Sequence, residues 1–319
     1  MSFDAIKGQD RPVELLKDYI RQSSLGGGYL FVGPQGLGKR LIAVTLAKAV
    51  NCLNQTLDSC DTCASCAKIE AGQHPDVHMI EASGSEIKIE QIRELKKYIS
   101  LKPYEGRTNV FIIDNAHNLN AESSNALLKI LEEPPGNSLI ILITDKTSLI
   151  FSTIVSRCKI LKFSGLARLK LKAMLKKDYR INEQLAHFLA YFSEGRIGFA
   201  LELKDKDILD KKNRIIDSFT QSQKSRMPNI ALQNREEVKD QLNILATWFR
   251  DIYLIKTGMP YSEVINLDRK DDLLRLIHRF SFSELDRIFN LLSESVSYLD
   301  QNINVRLMLH NLGAQLWKA

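Results

Sequence analysis

A chain of 319 residues, 44% hydrophobic and 26% charged, has room for two or three domains with real cores. Its formal charge of +6, with no dense Lys/Arg block, permits weak contact with a nucleic-acid backbone but does not argue for it. No apolar run is long enough to span a bilayer, and residues 1–20 carry Asp4, Lys7, Asp10 and Arg11 without an apolar core. The expectation is a cytoplasmic protein with no signal peptide and no membrane partner, whose cysteines are reduced or metal-bound rather than disulfide-bonded.

In chain order, residues 9–22 predict a helix with Val13, Leu16 and Ile20 on one face, and Gly26-Gly27-Gly28 reads as a hinge. The apolar run Tyr29-Leu30-Phe31-Val32 predicts a strand. Then comes Gly33-Pro34-Gln35-Gly36-Leu37-Gly38-Lys39-Arg40, opening a helix over Leu41 to Val50. Strand, glycine loop and helix are the context of a phosphate-binding P-loop. Backbone N–H groups at Gly33, Gly36 and Gly38 would curl around phosphate oxygens, and Lys39 stands where the motif's lysine reaches the β- and γ-phosphates. The motif calls next for Ser or Thr, a Mg²⁺ ligand. Arg40 stands there instead, and a guanidinium cannot ligate a cation. ATP or ADP binding without hydrolysis is the expectation for this loop, with a merely packed turn as the alternative.

Cys52, Cys60, Cys63 and Cys66 follow at C-x7-C-x2-C-x2-C spacing. Four thiolates so near in sequence can close a tetrahedron around one structural Zn²⁺ and leave no position open for catalysis. Free thiols or a redox pair are the competing readings. His74 and His78 lie downstream, but His74-Pro75 reads as a turn into a strand from Val77 to Glu81.

Residues 87–101 predict an amphipathic helix with Ile89, Ile92, Leu95 and Ile99 on one face, and Pro103 to Arg107 a turn. Val110 to Ile113 is a buried-strand pattern ending in Asp114, an acid placed to hold Mg²⁺; the residue after it, Asn115, is no base. Asn120 is set to cap a helix through Glu133 that turns Ala126, Leu127, Ile130 and Leu131 inward. A strand over Leu139 to Thr144, a short helix from Ser148 to Val155 and a last strand through Phe163 complete a five-stranded parallel α/β sheet covered on both faces.

Beyond residue 166 the pattern is helical only. Residues 166–204 predict a three-helix unit, and Lys204-Asp205-Lys206-Asp207 a solvated linker. In the remainder, Asn234 with Glu237 and Ser281 with Glu284 fit N-cap pairings. Two stripes follow: Val238, Leu242, Leu245, Trp248, Phe249 and Ile252, then Leu285, Ile288, Phe289, Leu292, Val296 and Leu299. A bundle core accounts for most of them, and their width leaves room for a subunit interface.

The run Asn125 to Pro135, with Ser156-Arg157-Cys158, resembles the clamp-loader branch of the AAA+ proteins. The four-cysteine insert and His74-Pro75-Asp76 are similar to its bacterial members, the gamma/tau and delta-prime subunits of DNA polymerase III, through residues 1–204. The helical remainder agrees in kind with the family's collar domain. The resemblance implies three parts: an AAA+ P-loop domain over 1–165 with its zinc insert at about 52–66, a lid over 166–205, and an all-α oligomerisation collar over 206–319. Hydrolysing gamma/tau members carry Ser or Thr, Glu and a sensor arginine where the resemblance aligns Arg40, Asn115 and Gly198 of this chain. These departures point to the non-hydrolysing delta-prime group, with a gamma/tau-like active ATPase as the alternative. The resemblance makes Arg157, flanked by Ser156 and Cys158, an arginine finger acting in trans at a neighbour's nucleotide; otherwise it is a surface arginine before a strand. It implies gamma/tau and delta subunits as partners, and the sliding clamp and primed DNA through the complex.

Overall fold

The fold is described from a computed structural model for residues 1–54, 57–221, 235–299, 301 and 303–316. Its contacts divide the chain into two units. One comprises Met1–Leu166 with Gly195–Phe199, the other Ala167–Glu194 with Ala200–Ala319.

The first unit runs α1 (Asp10–Arg21), β1 (Gly27–Val32), α2 (Lys39–Asn51), α3 (Ala64–Glu70), β2 (Val77–Ile80), α4 (Ile89–Ile99), β3 (Asn109–Ile113), α5 (Ala121–Glu132), β4 (Ser138–Thr144), α6 (Ser152–Val155) and β5 (Cys158–Lys162). Among the described residues the five strands form one sheet in the order β2-β3-β4-β1-β5, every pair parallel. Strand side chains alternate between faces, so each central strand feeds two cores. Tyr29, Phe31, Val110, Ile112, Leu139 and Ile141 pack with α1 and α2 residues such as Leu16, Ile42 and Leu46. Leu30, Phe111, Ile113, Ile140 and Leu142 pack on the other face with Ile92, Leu95, Leu127 and Ile130. Both faces are therefore dry, which is why these strands read as unbroken apolar runs.

Two details of the sequence reading change in this unit. Gly27 and Gly28 are strand residues rather than a hinge. A Cβ on Gly28 would lie 2.6 Å from Leu131 Cδ2 and 3.1 Å from Cys158 Sγ, so close packing requires the glycine. The expected helix from Ser148 splits into a 3₁₀ turn at Thr147–Leu149 and the short α6, because Ile150 is extended and Phe151 also leaves the helical backbone. Asn120 caps α5 as expected, accepting from Ser123 N at 2.9 Å.

The second unit is helical: α7 (Arg168–Tyr179), α8 (Glu183–Phe192), α9 (Ile197–Asp205, whose first turn belongs with the first unit), α10 (Ile208–Gln221), α11 (Arg235–Lys256), α12 (Lys270–Leu276), α13 (Phe282–Leu299) and α14 (Val305–Leu316). The α11 stripe is buried throughout, from Val238 to Ile252. On α13, Leu285, Ile288, Leu292 and Leu299 are buried, whereas Phe289 is exposed. Lys204 and Asp205 extend α9, and Lys206 and Asp207 form the turn after it. The Ser281–Glu284 cap is formed: Glu284 N donates to Ser281 Oγ at 3.2 Å, and Ser281 N donates to Glu284 Oε2 at 2.7 Å. Asn234 lies outside the described residues.

Candidate functional site

The sheet order sets the C-terminal ends of β1, β4 and β3 side by side, the crevice position of an open α/β sheet. From β1, Gly33 N donates to Thr144 O, tying the loop to β4. Gly36 and Gly38 turn the chain at φ 78° and 82°, a left-handed backbone that glycine adopts without a Cβ penalty. Gly38 then caps α2, whose first N–H groups are directed at the loop. Gly33 is fixed by space, since a Cβ there would meet Phe163 O at 2.5 Å.

Lys39 is buried, and its ammonium donates to Gly33 O and to Pro34 O, the latter at 2.7 Å. Burial lowers its pKa, while the Asp145 and Asp114 carboxylates oppose that shift. Arg40 Nη1 pairs with Glu81 Oε1 and approaches Asp114 Oδ2 at 3.4 Å. The strand-end acid that would hold a divalent ion is thus engaged by a side-chain cation. Asn115 adopts a left-handed backbone at φ 50°, and its N–H donates to Asp114 Oδ1 at 2.9 Å.

Sequence reasoning missed the end of β4. His117 Nδ1 lies 3.2 Å from Thr144 Oγ1 and 3.4 Å from Asp145 Oδ1, and burial lowers the pKa of this histidine. The signal was present as a polar pair, Thr144-Asp145, closing an apolar strand. Gly198 donates its N–H to Gly36 O at 2.8 Å, and a Cβ at Gly198 would lie 2.9 Å from the same oxygen. Any side chain at 198 would push this segment off the loop.

The cysteines of the insert converge. The sulfurs of Cys52, Cys60, Cys63 and Cys66 lie within 4.8 Å of one another, close to the roughly 3.8 Å spacing of four thiolates about one tetrahedral Zn²⁺. Cys63 N–H donates to Cys60 Sγ at 3.3 Å, and Cys66 N–H to Cys63 Sγ at 3.5 Å, bonds that favour thiolates. Donors from Thr62 and Cys63 bring the Cys60 thiol down to about 6, whereas burial pushes Cys66 up to about 12. The set fits a structural metal ion. His74 is not part of it: its Nδ1 accepts from Asp76 N at 3.2 Å, and its Nε2 faces Ser65 Oγ at 3.2 Å. The fully buried Lys48 pins the insert to α2 through Asp61 at 2.6 Å and Glu70 at 2.7 Å.

Arg157 stands at the opposite end of the sheet from the loop. The register Gly28↔Cys158 puts it level with Gly27 at the start of β1, roughly 16 Å along the strand from Val32. It is partly exposed. Its Nη2 pairs with Glu132 Oε1 at 2.8 Å and its Nη1 donates to Thr153 O at 3.0 Å, with Ser156 Oγ at 3.5 Å. Cys158 packs on Gly28, and burial pushes its thiol up to about 12, so it is an inert packing residue.

A glycine loop between a central strand and a helix, an acid closing the adjacent-but-one strand, and a following helical region define a P-loop protein of the AAA+ class. The family model described as "DNA polymerase III, delta subunit" matches residues 8–167, and one described as "DNA polymerase III, delta subunit, C terminal" matches 206–316. The chain belongs to this family, as a delta-prime-type member of the clamp-loader proteins. It is 29% identical to DNA polymerase III subunit delta' of Bacillus subtilis over 95% of this chain and 94% of that one. It is 28% identical to subunit tau of the same organism over 92% of this chain and 57% of the relative. A DNA polymerase III gamma-subunit-related protein of Thermotoga maritima aligns in structure over 96% of this chain and 98% of that one, at 18% identity and a TM-score of 0.49.

Proposed function

We propose that this chain works as the non-hydrolysing, delta-prime-type subunit of a cytoplasmic clamp loader. In that role it braces a ring with gamma/tau-type ATPase subunits and a delta subunit, and takes part in placing the sliding clamp on primed DNA. Residues 1–165 act as its P-loop domain, 166–205 as a lid and 206–319 as the collar that joins the ring. Cys52, Cys60, Cys63 and Cys66 hold one Zn²⁺ that shapes the insert. The cradle at Gly33, Gly36, Gly38 and Lys39 takes ATP or ADP without turning it over.

The observation that carries this reading is Arg40: it engages Asp114 in the place of a metal-ligating hydroxyl, and Asn115 supplies no base. The position of Arg157 supports a finger in trans. It is too far along the sheet to serve its own cradle, and Glu132 holds it at the surface until a phosphate competes for the guanidinium fork. Because a finger donates to charge that grows in the transition state, its loss should affect turnover more than assembly.

Arg157→Ala should therefore join a reconstituted loader normally yet lower its clamp- and DNA-stimulated ATP hydrolysis in part, since one ATP site of several faces this subunit. Arg157→Lys should rescue incompletely, lacking the planar fork. An alanine variant that matches wild type in hydrolysis and in clamp loading would reduce Arg157 to a surface residue. Multiple-turnover phosphate release by the isolated chain would instead establish a gamma/tau-like ATPase.

A further inference from the structure

We propose that Arg40 is a specificity-determining residue that replaces the divalent cation, so that the cradle takes the phosphates of a nucleoside di- or triphosphate free of Mg²⁺. The inference rests on the reading of Gly33 to Lys39 as a phosphate cradle. In an ordinary P-loop site, one Mg²⁺ bridges the strand-end carboxylate and the phosphate oxygens, cancelling the repulsion between them. Here three carboxylates, Glu81, Asp114 and Asp145, stand around the loop. Without a cation beside them they would repel phosphate.

Arg40 supplies that cation in covalent form. It is the second residue of α2, so its stem springs from the helix end that faces the loop. Its contacts with Glu81 Oε1 and Asp114 Oδ2 both use Nη1. A guanidinium carries five N–H donors in a planar fork, so among the described residues Nη2 and Nε remain to meet phosphate oxygens. The side chain is about half exposed, at 55%, and can make that contact. Mg²⁺ demands oxygen ligands at close to octahedral geometry, yet Arg40 offers none and already engages Asp114. Lys39, held on Gly33 O and Pro34 O within the loop, adds a second fixed positive charge. Fixed cations of the chain thus do what a mobile ion does elsewhere, and the site has no use for the metal that hydrolysis requires.

The test is binding of ADP and ATP to the full chain, followed by titration calorimetry, once with Mg²⁺ and once with EDTA. Wild type should bind with dissociation constants that agree within about twofold in the two buffers. Arg40→Ser, which restores the hydroxyl, should weaken binding about tenfold in EDTA and recover it when Mg²⁺ is added. Lys39→Ala should lose binding in both buffers, with thermal melting of each variant checking that it is folded. Wild-type binding that vanishes in EDTA overturns the proposal. So does the absence of binding in both buffers, an Arg40→Ser variant indistinguishable from wild type in EDTA, or binding that survives Lys39→Ala. The clamp-loader reading is decided separately in the reconstituted ring. A silent Arg157→Ala there leaves this result untouched, and the reverse also holds.

Discussion

Each of the two units pins one irregular segment with a single buried aspartate, and the pKa values of the two aspartates end up shifted in opposite directions. In the α/β unit, Asp76 accepts from Tyr104 N at 2.6 Å, Glu105 N at 2.9 Å and Gly106 N at 2.6 Å, holding the turn before β3. Burial works against its charge, yet the three backbone donors win and its pKa is lowered. In the helical unit, Asp251 on α11 accepts from Ile265 N and from Asn266 N and Nδ2, holding the link between two 3₁₀ turns, Tyr261–Glu263 and Leu267–Arg269, before α12. That stretch is also bound by His187 Nε2 to Val264 O at 2.8 Å and Tyr191 Oη to Ser262 O at 2.7 Å. Asp251 is wholly inaccessible, and there burial prevails and its pKa is raised. The difference is one of depth from solvent, since each carboxylate has three N–H donors. Three backbone N–H groups at the rim of a domain favour a carboxylate, whereas comparable donors inside a helical core do not repay its dehydration.

The comparison can be broken most forcefully at the four-cysteine cluster. Cys63→Ser should abolish a bound ion and loosen residues 52–70, leaving the sheet and the helical unit folded. Elemental analysis of wild type should give one zinc per chain, and limited proteolysis of the variant should cut only in the insert. Uniform loss of structure would show the metal to be integral to the whole domain.

Next come the aspartates. Asp76→Ala and Asp251→Ala each strand buried N–H donors and should destabilise by about 3 kcal/mol in denaturant titration. The asparagine pair is sharper: Asp76→Asn removes a favoured charge and should cost roughly 1 kcal/mol more than Asp251→Asn, which removes a disfavoured one. The opposite ranking would refute the electrostatic contrast.

Acidification should separate the units more gently. Burial lowers the pKa of His74, His78 and His117, all in the α/β unit. A histidine whose folded pKa lies below its unfolded value of about 6.5 contributes stability that is complete above that value and lost as pH falls through the folded pKa. Asp251 has the opposite sign: its raised pKa favours folding below about 3.9, and that contribution is lost as pH rises through the folded value. Between pH 7 and 5 the α/β unit should therefore weaken by the histidine route while Asp251 gives the helical unit no such loss. Amide exchange resolved by unit would show it.

The smallest effect should not discriminate at all. Asn120 caps α5 and Asn182 caps α8 by the same bond, each at 2.9 Å. Alanine at either should cost about 1 kcal/mol, and a marked asymmetry would mean that the caps carry tertiary roles.

The sequence by itself determined whatever depends on neighbours along the chain. The P-loop, the cysteine knuckle, the strand and helix periods and the caps at Asn120 and Ser281 are local patterns, and backbone stereochemistry turns them into structure directly. The partners of the functional side chains were decided only by the tertiary structure. Arg40 meets Asp114 across 74 positions, and Glu81 from another strand end. Glu132 meets Arg157, Cys158 finds Gly28, and Asp251 reaches a segment whose need for acceptors no periodicity announces. Charge pairing and the burial of a carboxylate depend on distance in space, and a one-dimensional pattern holds no distances beyond one helical turn or one strand step.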